Sequence, residues 1–310
     1  MRVYYQVNDF RSSCQPAVSV GIFDGVHLGH AEIIHSLTSY AKKTHCESAI
    51  VTFHPHPRLV LNAQGQIMLL QTIEEKLLRF EQLGVDVVLV TPFTREFAQM
   101  SPTDFIKDIL VEKMHVGHIV TGYDHFFGQH RQGNIELLNE MGFRFGFSVE
   151  ELNPINNNSK PISSSAIRKA LIDGDIMDAT EMLGYNYSIS GLVASGNKIG
   201  RNIGYPTANL KPADIHKLIP AQGVYATLVK INGLTYKGMT NIGYRPTVDS
   251  ENMTIEMNIF DFDQDIYDQN ITIIFIDRIR NEKKFSSLGN LQMQLANDKI
   301  VAREMLQSFE

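Results

Sequence analysis

The sequence has little cysteine, no long apolar run and no excess of basic residues. Its two cysteines, Cys14 and Cys46, form no Cys-x-x-Cys pair, which argues against a disulfide framework and a thiolate metal site. No apolar run approaches the roughly 20 residues of a membrane span, and residues 1–6 lack the basic-then-apolar form of a signal peptide. Lys and Arg total 28 against 34 Asp and Glu, so long nucleic-acid contacts are not favoured. We expect a cytoplasmic protein that binds neither membranes nor nucleic acid.

The first half of the chain alternates strand-like and helical segments. Its apolar runs are continuous, as in a parallel sheet that helices cover on both faces. Thr72 and Glu75 have the spacing of a capping box, and Ser101 precedes a proline, so both mark helix starts. The predicted strands are 17–20, 48–53, 85–91 and 118–121. Three helices are predicted: one that begins near Ala31, one over 72–83 and one over 101–114. The pattern predicts an α/β domain whose ligand lies beyond the carboxyl ends of the strands.

The turn at 21–30 reads Gly-Ile-Phe-Asp-Gly-Val-His-Leu-Gly-His and joins the first of these strands to a helix. Its three glycines, Gly21, Gly25 and Gly29, allow the backbone to approach a ligand, and the first helical N–H groups attract phosphate. His27 and His30 add donors for charge that builds on a phosphoryl group, which indicates transfer at a nucleotide phosphate. The alternative is an ordinary connecting turn with solvated histidines.

Two further motifs follow predicted strands or open a helix. In Phe-His-Pro-His-Pro, residues 53–57, two prolines fix the turn and present His56 outward. In Ile-Ser-Ser-Ser-Ala-Ile-Arg, residues 162–168, hydroxyls at a helix N-terminus and Arg168 form a second phosphate cradle; the alternative is a simple helix cap with a surface arginine. A metal site among the histidines is less favoured, because no His-Glu-x-x-His pair is present.

The second half reads as closely spaced strands after a helix at 175–183 and a short linker at 185–188. The predicted strands are 188–194, 224–231, 234–241, 253–261 and 271–279, and Asn232-Gly233 is a strong hairpin signal. This spacing predicts a closed antiparallel barrel. A final helix at 288–307, with Leu291, Leu295, Ile300, Val301 and Met305 on one face, is expected to pack on the barrel rather than to form a dimer.

Two features of this second half point to phosphate chemistry. The glycine-rich loop 196–204 leads into Tyr-Pro-Thr-Ala-Asn at 205–209, a set of groups suited to a triphosphate and Mg²⁺; the alternative is an ordinary hairpin loop. Glu256 lies in an alternating strand, on the face of Thr254 and Asn258, and is the candidate carboxylate that accepts a hydroxyl proton. The alternative is a solvent-facing glutamate.

Together these motifs resemble the bacterial bifunctional riboflavin kinase/FMN adenylyltransferases, the prokaryotic FAD synthetases, over essentially the whole chain. The matching segments, in family order, are 21–30, 53–57, 162–168, Pro-Thr-Ala-Asn at 206–209, Asn-Ile-Gly-x-Arg-Pro-Thr at 241–247, and Glu256. The resemblance implies a Rossmann-like nucleotidyltransferase domain over 1–184 and a riboflavin kinase-like β-barrel with a terminal helix over 185–310. It also implies that riboflavin and ATP give FMN, and that FMN and a second ATP give FAD and pyrophosphate.

The resemblance assigns roles residue by residue. The implied catalytic residues are Glu256, His27, His30 and Arg168. The implied Mg²⁺ ligands are Thr207 and Asn209. The implied nucleotide- and flavin-binding residues are Gly21, Phe23, Asp24, Gly25, Gly29, His56, Asp124, Ser163, Ser164, Gly196, Lys198, Gly204, Thr207, Asn209 and Arg245.

The sequence departs from the family pattern at five positions. Phe126 stands where a basic or polar residue is common, Ser165-Ala166 where a threonine-arginine pair is frequent, Asn258 where histidine is usual, and Asp268 where glycine is usual. These departures leave two alternatives beside the bifunctional enzyme: a riboflavin kinase with an impaired adenylyltransferase domain, and a flavin-binding regulatory protein.

Overall fold

The computed structural model describes residues 1–61, 67–123, 126–153, 156–157, 160–194, 204–246 and 251–309, with backbone alone at 156–157, 160–161, 245–246 and 251–252. The candidate residues Asp124, Gly196 and Lys198 lie outside these ranges. The chain divides into two compact units, Met1–Ser163 and Ser164–Glu310. The domain ranges 1–184 and 185–310 stay predictions.

The first unit is built on a six-stranded parallel sheet. In chain order its strands are β1 Arg2–Tyr4, β2 Ala17–Val20, β3 Ser48–His54, β4 Val87–Pro92, β5 His118–Gly122 and β6 Ser148–Leu152. They are arranged β1-β4-β3-β2-β5-β6, so the order reverses beside β2. A small hairpin pairs β7 Asn156–Asn157 with β8 Lys160–Pro161. The predicted α/β architecture is confirmed, and its topological switch point lies where β2 ends.

Helices connect these strands. They are α1 Leu28–Thr44, α2 Pro57–Leu61, α3 Ile73–Gln82, α4 Pro102–Asp104 and α5 Ile135–Phe145, with short 3-10 turns at Val7–Asp9, Phe97–Gln99 and Gln129–Arg131. The predicted capping box is confirmed, because Glu75 N donates to Thr72 Oγ1 at 3.3 Å and Thr72 N donates to Glu75 Oε2 at 3.0 Å. Ser101 also caps its helix, with Asp104 N donating to Ser101 Oγ at 3.0 Å.

One predicted helix changes type. After α4 the chain continues as a π-helix over Phe105–Val111, and Glu112 N donates to Lys107 O five residues back. This segment buries Phe105, Ile106, Ile109 and Leu110 against the sheet.

The second unit begins with two helices, α6 Ser164–Asp173 and α7 Ile176–Leu183, followed by the barrel. Its strands are β9 Ser188–Ala194, β10 Ala208–Pro212, β11 Gly223–Ile231, β12 Leu234–Pro246, β13 Glu251–Ile259 and β14 Asn270–Arg280. They close in the order β10-β13-β12-β11-β14-β9, all antiparallel. The predicted barrel is confirmed, and so is the hairpin, since Asn232 and Gly233 both have positive φ between the paired residues Ile231 and Leu234.

Tyr187 does not lie in a linker. It is buried, its ring centroid lies 6.4 Å from that of Phe275, and its hydroxyl donates to Leu218 O at 2.6 Å. The next residue already begins β9, so the barrel core starts within the predicted linker 185–188.

The terminal helix α8, Leu288–Met305, packs on the outer face of the barrel as predicted. Ala302 and Leu306 are fully buried there in a cluster with Val224 and Met239. Ile300, predicted to face the barrel, is 57% exposed. Leu295 and Met305 of the predicted face do pack against this cluster, so the prediction is wrong at Ile300 and not for the face as a whole. A buried charge lies on the barrel-facing side as well, because Arg280 Nη2 of β14 donates to buried Asp298 Oδ2 at 2.7 Å.

Across the described ranges, none of the helices has the length and apolar character needed to cross a membrane.

Candidate active sites

The glycine-rich turn follows β2 at the switch point of the sheet. Gly21 N donates to Val51 O at 3.0 Å, which continues the sheet pairing into the turn. Phe23, Gly25 and Val26 then adopt positive φ values of 50°, 87° and 32°. A Cβ on Gly21 would lie 2.8 Å from a ring carbon of Phe23. The turn thus folds tightly because glycine at 21 allows the Phe23 ring to lie against the backbone.

His27 is the N-cap of α1. Its Nδ1 accepts a hydrogen bond from His30 N at 3.4 Å, so the proton of the neutral ring is assigned to Nε2. The His27 and His30 rings stack, with centroids 3.7 Å apart and an interplanar angle of 17°. The predicted pair of histidines is therefore a single packed unit at a helix N-terminus.

His30 is half-buried as a residue, whereas His27 is 7% exposed. The Nδ1 of His30 is buried and has no hydrogen-bond partner among the described residues. Burial, followed by the charges of His27 and Lys76, holds the pKa of His30 well below 6.5. His30 is therefore neutral at pH 7, with one ring N–H as a donor and one ring nitrogen as an acceptor.

Phe23 and Asp24 direct their side chains into the protein. Phe23 lies edge-on to His30 and to Phe80, with centroids 5.2 and 5.6 Å away. The buried Asp24 carboxylate accepts from Leu70 N at 3.1 Å and from Gln71 N at 3.3 Å. These contacts anchor the turn to the segment before α3, so both residues offer a ligand chiefly their backbone.

His56 is not presented outward, and that expectation was wrong. Its side chain is 7% exposed, and its Nδ1 accepts from Arg58 N at 3.1 Å. This bond turns the ring toward the first turn of α2 instead of solvent. A role for His56 in nucleotide binding stays a prediction.

The hydroxyl-rich segment opens a helix, as predicted. α6 begins at Ser164, directly after Ser163, and Arg168 lies half-buried one turn further on. Ala166 lies between them on the same helix. The backbone N–H groups of this first turn can donate hydrogen bonds to an anion even though residue 166 carries no charge.

In the second unit the structure brings Glu256, Thr207 and Asn209 together. Thr207 Oγ1 donates to Glu256 Oε2 at 3.4 Å, and Thr254 Oγ1 lies 3.5 Å from Glu256 Oε1. Glu256 pairs with Asn209 on β10 and with Asn241 on β12, and directly opposed residues share one face of a sheet. Glu256 is half-buried among these polar groups, on the opposite face from the fully buried Met257.

Asn258 completes this cluster. It is 7% exposed, and its Nδ2 donates to Pro206 O at 2.7 Å. The bond ties β13 to the turn that carries Thr207. The alternation of the strand already placed Thr254, Glu256 and Asn258 on one face, but the contact with Pro206 crosses 52 residues of chain and leaves no local sequence signal.

Gly204 and Arg245 flank the cluster along the chain. Gly204 has a φ of 78°, and no atom of the described residues lies within 4 Å of the position that a Cβ would occupy, so its backbone conformation itself favours glycine. Arg245 pairs with Asn252 in the backbone of β12 and β13. Their ligand contacts stay predictions.

Two departures from the family pattern have structural counterparts. Asp268 has a φ of 59°, a left-handed conformation that glycine adopts freely and that aspartate tolerates better than most residues. Beside Phe126, which is 50% exposed, the guanidinium carbon of Arg131 lies 5.2 Å from the ring centroid. Arg131 thus places a cation close to the position where the family pattern has a basic or polar residue.

The hydroxyl of Thr207 and the amide of Asn209, beside the Glu256 carboxylate, are hard oxygen donors of the kind that Mg²⁺ prefers. The residues present therefore fit the implied metal. No group of three or more His, Cys, Asp or Glu side chains that could hold a metal occurs within the part of the chain that the structure describes.

Comparison with known proteins places both units in one family. The FAD synthetase family matches residues 10–166, and the riboflavin kinase family matches residues 183–306. The bifunctional riboflavin kinase/FMN adenylyltransferase of Haemophilus influenzae is 37% identical over 310 residues, covering 99% of each chain. Its namesake in Bacillus subtilis is 38% identical over 287 residues, covering 91% of this chain and 90% of its own.

A solved structure shares the whole fold. It comes from Streptococcus pneumoniae and is described as a macrolide-efflux protein, with a TM-score of 0.88, 32% sequence identity, and coverage of 97% of this chain and 98% of its own. The chain is similar to these bifunctional relatives over nearly its whole length, and the FAD synthetase match precedes the riboflavin kinase match along the sequence. It therefore belongs to the bifunctional riboflavin kinase/FMN adenylyltransferase family and carries both of its catalytic domains.

Proposed function

We propose that this chain makes FAD in two steps, each at its own site. Riboflavin and ATP give FMN and ADP at the Glu256 cluster, and FMN and a second ATP give FAD and pyrophosphate at the His27–His30 turn. The observation that carries the proposal is the Glu256 carboxylate held by Thr207 and Thr254, together with the stacked histidines at a helix N-terminus, in a chain that matches both families.

In the kinase step, Glu256 accepts the proton of the riboflavin 5′-hydroxyl while the oxygen attacks the γ-phosphorus of ATP. The O–P bond to the new phosphate forms as the bond to ADP breaks. The half-buried position of Glu256 suits a base that must meet a hydroxyl within hydrogen-bond reach. The neighbouring hydroxyl and amide groups orient the carboxylate and the phosphates.

Thr207 and Asn209 would hold Mg²⁺ in this step. The ion neutralises charge on the ATP phosphates when it is bound. Gly196, Lys198 and Gly204 in the glycine-rich loop, and Arg245 in β12, are proposed to bind the triphosphate.

The adenylyl transfer needs positioning more than proton transfer. An oxygen of the FMN phosphate is already ionised, attacks the α-phosphorus of ATP and displaces pyrophosphate. Ring N–H donors from His27 and His30, with the N–H groups at the start of α1, are suited to the charge that develops on the transferred group. Ser163, Ser164, Arg168 and Asp124 are each proposed to contribute to phosphate binding.

We also propose that the enzyme acts in the cytoplasm. Cys14 and Cys46 are free thiols, which fits a reducing compartment.

The test is a product assay with the full chain, ATP and Mg²⁺, started once with riboflavin and once with FMN. The proposal predicts FMN and then FAD from riboflavin, and FAD directly from FMN. Accumulation of FMN alone would contradict the adenylyl transfer, and no turnover from either flavin would favour a binding protein. Replacing Mg²⁺ with a chelator is expected to stop both reactions.

A further inference from the structure

A lysine is buried directly beneath the glycine-rich turn. Lys76 of α3 is 5% exposed, and its Nζ donates to Ile22 O at 2.6 Å. An ammonium group in such a place is costly unless hydrogen bonds and opposite charge offset its lost hydration. Lys76 was not among the residues that the motifs pointed to.

The charges around Lys76 belong to the same turn. Burial lowers the pKa of Lys76 from 10.5 to about 8, and the carboxylate of Asp24 acts in the opposite direction. The positive charge of Lys76 in turn contributes to the lowered pKa of His30. The ammonium is thus electrostatically linked both to the turn and to the stacked histidines.

The hydrogen bond fixes the orientation of one peptide group. Ile22 O accepts from Lys76 Nζ and also from Thr52 Oγ1 at 3.3 Å. Because a trans peptide is planar, the N–H of Phe23 points away from the side on which Ile22 O is held. Within the described ranges Phe23 N donates to no other residue. An N–H in this place, between the end of β2 and the start of α1, is available to a phosphate oxygen.

We propose that Lys76 is a positioning residue for adenylyl transfer: its ammonium holds the Ile22–Phe23 peptide so that the Phe23 N–H faces the phosphate of the nucleotide substrate. This inference rests on the adenylyl transfer proposed above. The competing explanation is that Lys76 only fills space between α3 and the turn.

The test is Lys76→Met, which keeps the length of the side chain and removes the donor and the charge. We expect kcat/KM for FAD formation from FMN to fall roughly 10- to 100-fold, since a misdirected donor at a phosphoryl group weakens transition-state binding. Riboflavin phosphorylation by the same chain is expected to stay within twofold and serves as the internal control. Lys107→Met, which removes an exposed lysine, controls for the change in net charge.

A pH profile separates positioning from packing. The titratable groups that interact electrostatically with Lys76 are Asp24 in the turn and His30 on α1. Loss of the proton from Lys76 is expected to lower wild-type FAD formation as the pH rises through about 8, relative to the kinase reaction. Lys76→Met is expected to lack this decline. If Lys76 only filled space, the pH profile of FAD formation would be the same in Lys76→Met as in the wild type.

FAD formation by Lys76→Met within twofold of wild type would overturn the inference. If Lys76→Met fails to fold, the same two rates are measured for Lys76→Gln, and the pH profile is measured for the wild type. A wild-type ratio of FAD formation rate to FMN formation rate that stays constant from pH 7 to 9.5 would also overturn the inference. A wild type that makes no FAD from FMN would instead overturn the proposed function.

Discussion

Asn258 connects the candidate base to the turn that carries Thr207. It is the nearest polar side chain after Glu256 on the same face of β13, and its amide donates to Pro206 O. The residue departs from the histidine that is usual in the family, yet an imidazole N–H can donate to the same carbonyl. Asparagine and histidine at position 258 can therefore both donate a hydrogen bond to Pro206 O.

We predict that Asn258→Leu lowers riboflavin phosphorylation about tenfold, because the Pro206 carbonyl loses its donor, at a cost of about 1–3 kcal/mol, and the Thr207 hydroxyl loses its fixed position. Asn258→His is expected to retain most of the activity. Steady-state kinase assays on the two variants, with FAD formation from FMN as the control, provide the measurement. Equal activity in Asn258→Leu and wild type would show that the contact does not position Thr207.

His30 makes stability depend on pH in a defined direction. Its pKa in the folded chain lies well below 6.5, mainly because it is buried. The unfolded chain therefore binds more protons than the folded chain below about pH 6.5, so protonation favours unfolding there. The contribution of His30 to stability is complete above this pH and is lost as the pH falls toward the pKa of the folded state.

We predict that the melting temperature of the first unit falls more steeply between pH 7 and 5 in wild type than in His30→Gln, which cannot titrate. Calorimetric scans across this range give the two slopes. The pKa of His118 is lowered by burial as well, but it is present in both proteins and cancels in the comparison. Parallel slopes would mean that His30 is solvated in the folded chain.

Some residues of the two candidate sites can be predicted from local sequence patterns, and others cannot. The His27–His30 turn and Glu256 were found because glycines and alternation are local patterns. Lys76 was not found, although a charged residue on the helix face shared with Ile73, Leu77 and Phe80 was a usable signal. The burial of His56 depends on the rotation of one side chain toward Arg58 N, and the Asn258–Pro206 contact joins residues distant in the chain. No local sequence pattern encodes either.

At the scale of elements, α8 is fixed to the barrel by a buried ion pair. Asp298 on α8 is 1% exposed, and Arg280 on β14 donates to it from both Nε and Nη2. Gln294 Nε2 donates to the same carboxylate at 2.9 Å. Three donor groups from the docked helix and the barrel wall thus converge on one side chain.

We predict that Asp298→Ala destabilises the second unit by about 3–5 kcal/mol, because it leaves the partly buried guanidinium of Arg280 without its partner. The double variant Arg280→Met/Asp298→Leu is expected to lose much less, since neither charge remains. Urea unfolding of the three proteins measures both values. If Asp298→Ala loses less than about 1 kcal/mol, the range of a surface pair, solvent replaces the lost carboxylate and α8 does not depend on the pair.

The elements were predictable where the signal is local. Strand β9 was predicted with its observed bounds, and the Thr72 capping box and the Asn232-Gly233 turn formed as expected. Strand β10 was not predicted. Its partners, β9 and β13, are distant in the chain, and only closure of the barrel makes an edge available for it. Helix α5 and strand β6 were also not predicted.

At the scale of the whole molecule, the chain combines two folds that each support one half of a reaction sequence. The order of motifs along the chain predicted both folds, and the family matches at residues 10–166 and 183–306 confirm them. The two sites share no described catalytic residue. Each activity should therefore survive the loss of the other.

The independence of the two sites can be measured as FAD formation from riboflavin by Glu256→Gln, by His30→Ala, and by an equimolar mixture of the two. We predict that Glu256→Gln loses roughly 10²–10⁴-fold in phosphorylation yet still converts FMN to FAD, and that His30→Ala accumulates FMN. The mixture is expected to make FAD, because FMN released by one variant is adenylylated by the other. A mixture that makes no FAD, while each variant keeps its own half-reaction, would contradict two independent sites linked by a released product, and wild-type rates in either variant would contradict its assigned residue.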